Sequence, residues 1–209
     1  MRWGLLLALA LTAEAMADPL DEAQARFQAL GGYQLILRST AADGQRQQLR
    51  YFFRRPGWVR MEFLEPHRGL VLVYDPEAQR ISLWPFGPGR WPRLRLAPDS
   101  PLLRERHGHR IDRSDVGALL ENLQALRARG RLSPLGEAAV GGRQASGWEI
   151  AGDASTSVAG VQRYRVWFAR DTLFPLQVES FGPGGAPIET VTMDEIETNP
   201  VFSAQVFAP

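Results

Sequence analysis

The chain of 209 residues contains no cysteine, and it contains no lysine because all 24 basic residues are arginines. The missing cysteine excludes disulfides, thiol nucleophiles and attachment of a lipid through a thiol. The missing lysine excludes Schiff-base chemistry and lysine nucleophiles. An excess of one charge is also absent, since 23 acidic residues leave a formal net charge of +1. This balance argues against nucleic acid as the main partner, because neutralising phosphates requires a concentrated basic surface.

Motifs of common catalytic sites are missing as well. The sequence has no G-x-S-x-G elbow, no phosphate-binding P-loop and no H-E-x-x-H. His107-Gly108-His109 with Asp112 and Asp115 has two interpretations, a metal site or a solvated polar loop. Glu62 and Glu65 are likewise either a catalytic carboxylate pair or solvated surface. We expect solvated surface in both places, and therefore neither an enzyme nor a bound metal or cofactor.

The only long apolar run lies at the N-terminus and is too short to span a bilayer. Arg2 precedes the apolar residues 5–11, and small residues follow at 15–17. This order is typical of a secretory signal peptide with cleavage near Ala17, and the alternative is a buried N-terminal helix. We expect a signal peptide over 1–17, then one domain over 18–209 that is exported, soluble and monomeric.

Most of the remaining sequence alternates with a period of two, which is typical of half-exposed antiparallel strands. From Tyr33 to Phe63, three such stretches are separated by the turn signals Asp43-Gly44 and Pro56-Gly57. Leu70 to Tyr74 is apolar on both faces, so we expect a cover on each side. Further strands are predicted at Ile81 to Trp84, Leu94 to Leu96, Trp148 to Ile150, Tyr164 to Phe168, Pro175 to Phe181 and Ile188 to Ile196.

Two segments have the helical period instead. Asp18 and Pro19 begin a predicted helix that ends before Gly31. Ser114 is the predicted N-cap of a second helix that reaches Arg129. The predicted fold is α+β, with one large curved antiparallel sheet and helices covering its concave face.

Apolar and aromatic side chains of the first strands would share that concave face. They either enclose a ligand cavity or form an ordinary core against the helices, and both interpretations stay open at this point. The candidate cavity residues are Leu35, Leu37, Tyr51, Phe53, Val59, Met61 and Phe63 on the strands, with Leu119 and Leu123 on the second helix.

The block from Phe53 to Phe63, which includes Arg55-Pro56, and the following Glu65-Pro66 resemble the periplasmic lipoprotein carriers of the LolA type. The hairpin from Leu70 to Trp84 is similar to theirs as well. So are the final hairpin from Pro175 to Ile196, Asn199 and the ending Val206-Phe207-Ala208-Pro209. The receptor LolB and the lipid-binding regulator RseB have similar folds. The resemblance implies a half-open β-barrel whose helices form a lid over an apolar cavity.

The implied function is a periplasmic carrier that shuttles acyl chains of lipoproteins or other lipids towards the outer membrane. Its partners would be an inner-membrane transporter as donor and an outer-membrane acceptor. The alternative is a non-transporting domain that senses or binds lipidated proteins, as in RseB. A second folded domain would favour that alternative, and we expect only one.

One residue role follows from the resemblance. Arg55 matches the arginine that holds the lid closed by hydrogen bonds to backbone, and the alternative is an ordinary surface arginine. The lid would be the helix from Ser114 to Arg129 with the loop before it, and the helix over 18–30 would be its partner.

Two features depart from the family. The stretch from Trp84 to Pro92 is unusual for the lid region, and the cluster Arg104, Arg106, Arg110 and Arg113 has no counterpart. The cluster either contacts anionic headgroups or an acidic partner, or it is a solvated loop.

Overall fold

The computed structural model describes residues 18–103 and 110–208. The predicted signal peptide, Arg104, Arg106, His107 and His109 lie outside the described residues. No helix within the described ranges is both long and apolar enough to cross a membrane.

Two α-helices and eleven strands make up the described chain. The helices are α1 (Pro19–Gln28) and α2 (Val116–Arg127). The strands are β1 (Gly32–Ala41), β2 (Arg46–Arg54), β3 (Trp58–Glu65), β4 (Val71–Asp75), β5 (Arg80–Trp84), β6 (Leu94–Leu96), β7 (Gly130–Val140), β8 (Arg143–Gly152), β9 (Arg163–Ala169), β10 (Pro175–Phe181) and β11 (Pro187–Thr198). Short 3₁₀ helices lie at Pro101–Leu103, Ile111–Arg113 and Pro183–Gly185.

All eleven strands belong to one antiparallel sheet in the order β6-β5-β4-β3-β2-β1-β11-β10-β9-β8-β7. Neighbours in the sheet are also neighbours in sequence except for β1 and β11, which join the two halves at the centre. The sheet is curved and open, with β6 and β7 at its edges, and both helices lie on its inner face. The predicted fold class is confirmed.

The helices pack against the inner face and against each other. Asp18 caps α1 as predicted, since its carboxylate accepts a hydrogen bond from the Leu20 amide at 2.9 Å. The same carboxylate pairs with Arg127 near the C-terminus of α2, at 2.5 Å. The two helices are thereby linked end to end, while Phe27 of α1 belongs to the main hydrophobic core.

The C-terminal segment covers part of the outer face. Phe207 is buried against Trp58, with ring centroids 6.2 Å apart. Trp58 in turn packs on a small outer cluster of Val71, Val73 and Trp84. Leu72 and Tyr74 belong to the main core, so both faces of β4 are covered, as its apolar sequence predicts.

Two predictions about local structure are wrong. Ser114 is not the N-cap of α2, because Asp115 has that position and accepts hydrogen bonds from the amides of Gly117 and Ala118 at 2.7 and 3.3 Å. The predicted strands also omit β7, which pairs along its length with β8 and forms an edge of the sheet.

Candidate functional site

Three adjoining cavities lie between the inner face of the sheet and α2 with the segment before it. The inner cavity has a volume of about 40 Å³, the central cavity about 180 Å³ and the outer cavity about 400 Å³. The central cavity shares Tyr51 and Leu119 with the inner cavity, and Ser39 and Ile111 with the outer one. Because neighbouring cavities share lining residues, they lie next to one another along the inner face, and we call the three together the hollow.

Strand β1 gives the direction of this hollow. Tyr33 and Leu35 line the inner cavity, Leu37 lines the inner and central ones, and Ser39 and Ala41 reach the outer one. Alternate residues of a strand share one face and rise by about 3.3 Å per residue, so the hollow extends over roughly 26 Å. The shape is elongated, as a linear ligand requires.

The central cavity has mostly apolar walls drawn from six strands, from α2 and from the segment before it. Side chains of β10 and β11 complete the wall opposite β2 and β3. Its apolar lining consists of Leu37, Leu49, Tyr51, Met61, Ile111, Leu119, Tyr164, Val178, Val191 and Met193.

A buried polar cluster separates the inner cavity from the central one. The Tyr51 hydroxyl lies 2.9 Å from the Ser114 hydroxyl, which also reaches the Ile111 carbonyl oxygen at 2.7 Å. The Tyr33 hydroxyl accepts a hydrogen bond from the Val116 amide at 3.1 Å. Burial raises the pKa of both tyrosines, so both stay neutral and available as hydrogen-bonding groups.

Asp115 is the charged member of this neighbourhood. Burial raises the pKa of its carboxyl above the usual value, and hydrogen bonds from the first amides of α2 oppose that rise. The carboxylate stabilises the N-terminus of α2 by capping it. The residue therefore fixes the end of the helix that borders the cavities.

Arg55 lies at the opposite end of the sheet from the outer cavity. Its Nε donates to the Leu30 carbonyl oxygen at 2.8 Å, and one terminal nitrogen donates to the Phe27 carbonyl oxygen at 3.0 Å. Its guanidinium also lies 5.2 Å from the centre of the Phe27 ring. These contacts attach the end of β2 to the C-terminal end of α1, and the role of Arg55 in holding a lid stays a prediction.

The described members of the arginine cluster are paired. Arg110 forms a two-pronged contact with Asp112, at 3.0 and 2.7 Å, and Arg113 pairs with Glu121 at 2.9 Å. Within residues 18–103 and 110–208, no group of three or more His, Cys, Asp or Glu side chains could hold a metal ion. Glu62 accepts a hydrogen bond from Arg60 at 2.7 Å.

The predicted cavity residues fall into two groups. Those that line a cavity are Leu35, Leu37, Tyr51, Met61, Phe63 and Leu119. Phe53, Val59 and Leu123 are buried in the main core and line none of the three cavities. The shared sequence period does not distinguish residues that line a cavity from residues buried in the core. A role of either group in ligand binding stays a prediction.

Leu49, Val178 and the last strand contribute further walls that are not among the predicted cavity residues. Val191 and Met193 are two residues apart on β11 and share a face, which is the same period-two signal as on β1. The pairing of β1 with β11 places Met193 opposite Leu37 and Val191 opposite Ser39. That long-range pairing has no local signature in the sequence.

Comparison with known structures shows the class of fold. An uncharacterised conserved protein from Thermus thermophilus has 11% identity, a TM-score of 0.57 and coverage of 92% of this chain and 94% of that one. The Mycobacterium tuberculosis lipoprotein LppX has 12% identity, a TM-score of 0.55 and coverage of 90% and 96%. MucB, in a structure of its complex with MucA, has 18% identity and a TM-score of 0.55. The match covers 91% of this chain but only 57% of the MucB chain.

These likenesses, all below 25% identity, concern the fold. The chain shares its fold with LppX and with MucB. The resemblance predicted from the sequence is confirmed at that level. No protein-family model matches the chain, and no curated protein matches it in sequence.

Proposed function

We propose that the protein binds acyl chains of lipoproteins or of other lipids in the three adjoining cavities and carries them through the periplasm towards the outer membrane. The observation that carries this proposal is the elongated series of mainly apolar cavities along β1. An ordinary core packs its side chains without such gaps. The protein then acts by binding and release, without catalysis.

Burial of an acyl chain supplies enough free energy for an aqueous crossing. At about 0.8 kcal/mol per methylene, a chain of about sixteen carbons gains on the order of 12 kcal/mol relative to water. Release would then be slow unless the cover of the hollow opens. Leu119 on α2 and Ile111 before it belong to the cavity wall, so movement of this segment would open the hollow.

A second candidate is a domain that binds a lipidated partner without transporting it. The likeness to MucB, whose structure was determined with MucA, favours this candidate. Both candidates require a filled cavity, and they differ in whether the ligand is passed on to a membrane.

Binding of a fluorescent fatty acid tests the shared requirement. Leu119→Trp places a larger side chain at the junction of the inner and central cavities, and Met193→Trp does so from the facing strand. Both variants should weaken probe binding by at least tenfold. The matched control is Leu135→Trp, because Leu135 is 41% exposed on β7 and lines none of the three cavities.

Unchanged probe binding in both cavity variants, with circular dichroism spectra like that of the wild type, would contradict the proposal. Transfer of the probe from donor to acceptor vesicles then separates the two candidates. A carrier accelerates transfer in proportion to its concentration, whereas a sensing domain binds the probe without accelerating transfer.

A further inference from the structure

The connection between β5 and β6, residues 85–93, carries two exposed aromatic side chains. We call it the aromatic loop. Phe86 is 61% exposed and Trp91 is 90% exposed, although large apolar side chains usually avoid water. Leu94, which follows the loop, is 37% exposed. The three exposed apolar residues lie within nine residues of one another in the sequence, and clusters of exposed apolar side chains are typical of interaction sites.

The charge around the aromatic loop has one sign. Between Ala78 and Pro98 the sequence contains four arginines and no acidic residue, in a chain that is otherwise balanced. Arg90 and Arg95 are exposed, and neither forms an ion pair among the described residues. These arginines are therefore available to an anionic partner.

Arg93 has a different role, because it fastens the loop to the sheet. Its guanidinium lies 5.1 Å from the centre of the Trp84 ring and donates a hydrogen bond to the Ser82 hydroxyl at 3.1 Å. Prolines at 85, 88 and 92 restrict the loop further. The aromatic side chains are thus presented by a stiff loop, which reduces the entropy lost on binding.

The aromatic loop also lies beside the outer cavity. A Cβ placed on Gly87 would lie 3.5 Å from the carbonyl oxygen of Gly69, so the loop adjoins the connection between β3 and β4. In that connection His67 lines the outer cavity. Leu102, which is 75% exposed, lines the outer cavity as well.

We propose that the aromatic loop docks the protein on a membrane surface that contains anionic phospholipid. Phe86 and Trp91 would enter the interfacial layer, where aromatic rings are favoured, and Arg90 with Arg95 would contact lipid phosphates. A membrane fits better than an acidic protein because Trp91 is an exposed aromatic ring directly next to the exposed Arg90, and aromatic rings beside basic side chains are favoured at an anionic lipid headgroup layer. This goes beyond the proposed function, because docking does not depend on what fills the cavities.

Flotation with vesicles tests the proposal. The protein should bind vesicles of phosphatidylcholine with about 30 mol % phosphatidylglycerol more tightly than pure phosphatidylcholine vesicles, and the difference should shrink at about 0.5 M salt. The double variant Phe86→Ser/Trp91→Ser should weaken binding by at least tenfold. Arg90→Gln/Arg95→Gln should weaken binding to the anionic vesicles by about 25-fold, or about fivefold per arginine.

The matched control is Leu135→Ser/Arg131→Gln on β7, which makes the same kinds of change at the opposite edge of the sheet. It should bind vesicles as the wild type does. Equal binding of the wild type to both vesicle types, or loop variants that bind like the control, would overturn the proposal. Binding to polyglutamate without binding to vesicles would also overturn it and would identify an acidic protein partner.

The fatty-acid probe distinguishes this proposal from the cavity proposal. The loop variants should bind the probe as tightly as the wild type does. A protein that floats with anionic vesicles but binds no probe would refute the cavity proposal and leave membrane docking standing.

Discussion

Arg55→Leu should loosen α1 from the sheet while the domain stays folded. The substitution removes the hydrogen bonds to the carbonyl oxygens of Phe27 and Leu30 and the contact with the Phe27 ring. Because Arg55 is exposed, water screens its charge, and each hydrogen bond contributes about 1 kcal/mol, the value of an ordinary neutral hydrogen bond. The sum of about 2 kcal/mol corresponds to roughly 30-fold more frequent opening of the helix.

Amide hydrogen exchange followed by mass spectrometry measures this opening. Peptides from α1 should exchange roughly 30-fold faster in Arg55→Leu, whereas peptides from β8 and β9 should change little. Release of a bound fatty-acid probe should accelerate as well, if Arg55 holds the lid.

The matched control is Arg54→Leu. Arg54 precedes Arg55 in the chain, but its guanidinium packs over Trp58 and Phe207 on the outer face, at 5.4 and 4.6 Å. Its loss should leave exchange in α1 unchanged. Equal exchange in Arg55→Leu and the wild type, or a uniform acceleration over the whole domain, would refute the role of Arg55 as a local attachment.

Three further substitutions, with a fourth as a control, test individual contacts in the fold. Burial raises the pKa of the folded-state Asp115 carboxyl above 3.8, so the folded protein binds this proton more tightly than the unfolded chain does. The free energy of unfolding of the wild type, compared with that of Asp115→Asn, should therefore fall as the pH rises from about 3.8 through the raised pKa. Urea titrations at several pH values measure this difference in free energy, and a difference that does not change with pH would contradict the prediction. Tyr33→Phe leaves the buried Val116 amide without its hydrogen-bond acceptor, so the free energy of unfolding should fall by about 1–3 kcal/mol. An unchanged midpoint of urea unfolding would mean that this hydrogen bond contributes nothing to stability. Gly130→Ala would place a Cβ 2.1 Å from the carbonyl oxygen of Ala151, so β7 must shift and the melting temperature should fall. The control is Gly57→Ala, whose Cβ would lie at an ordinary 3.6 Å from Pro76, so its melting temperature should equal that of the wild type. Equal melting temperatures of the two glycine variants would argue against a close approach of Gly130 to Ala151.

Much of the sheet could be predicted from the sequence because its strands alternate regularly. β1, β2 and β3 appear as stretches of period two separated by turn residues, and the structure pairs them as successive antiparallel neighbours. β7 could not be recognised, because Pro134 and Gly136 interrupt it where its register with β8 shifts. An edge strand tolerates such residues, since one side of its backbone has no partner strand.

The candidate site was predictable only as a set of inward-facing residues. Leu119 and Leu123 lie on the same apolar stripe of α2, yet Leu119 lines the hollow and Leu123 is fully buried in the core. A cavity is a gap between distant elements, so no local pattern encodes it. Helix capping has a similar ambiguity, because Ser114 and Asp115 are adjacent and both residue types are good caps.

Native mass spectrometry of protein purified from a periplasmic extract shows whether the cavities hold a lipid. We expect a complex whose added mass equals that of an acyl-bearing lipid or lipoprotein. The same mass should be depleted in Leu119→Trp and retained in Leu135→Trp. A wild-type protein that carries no acyl species, and still takes up none after incubation with fatty acid, would refute acyl-chain binding in the cavities.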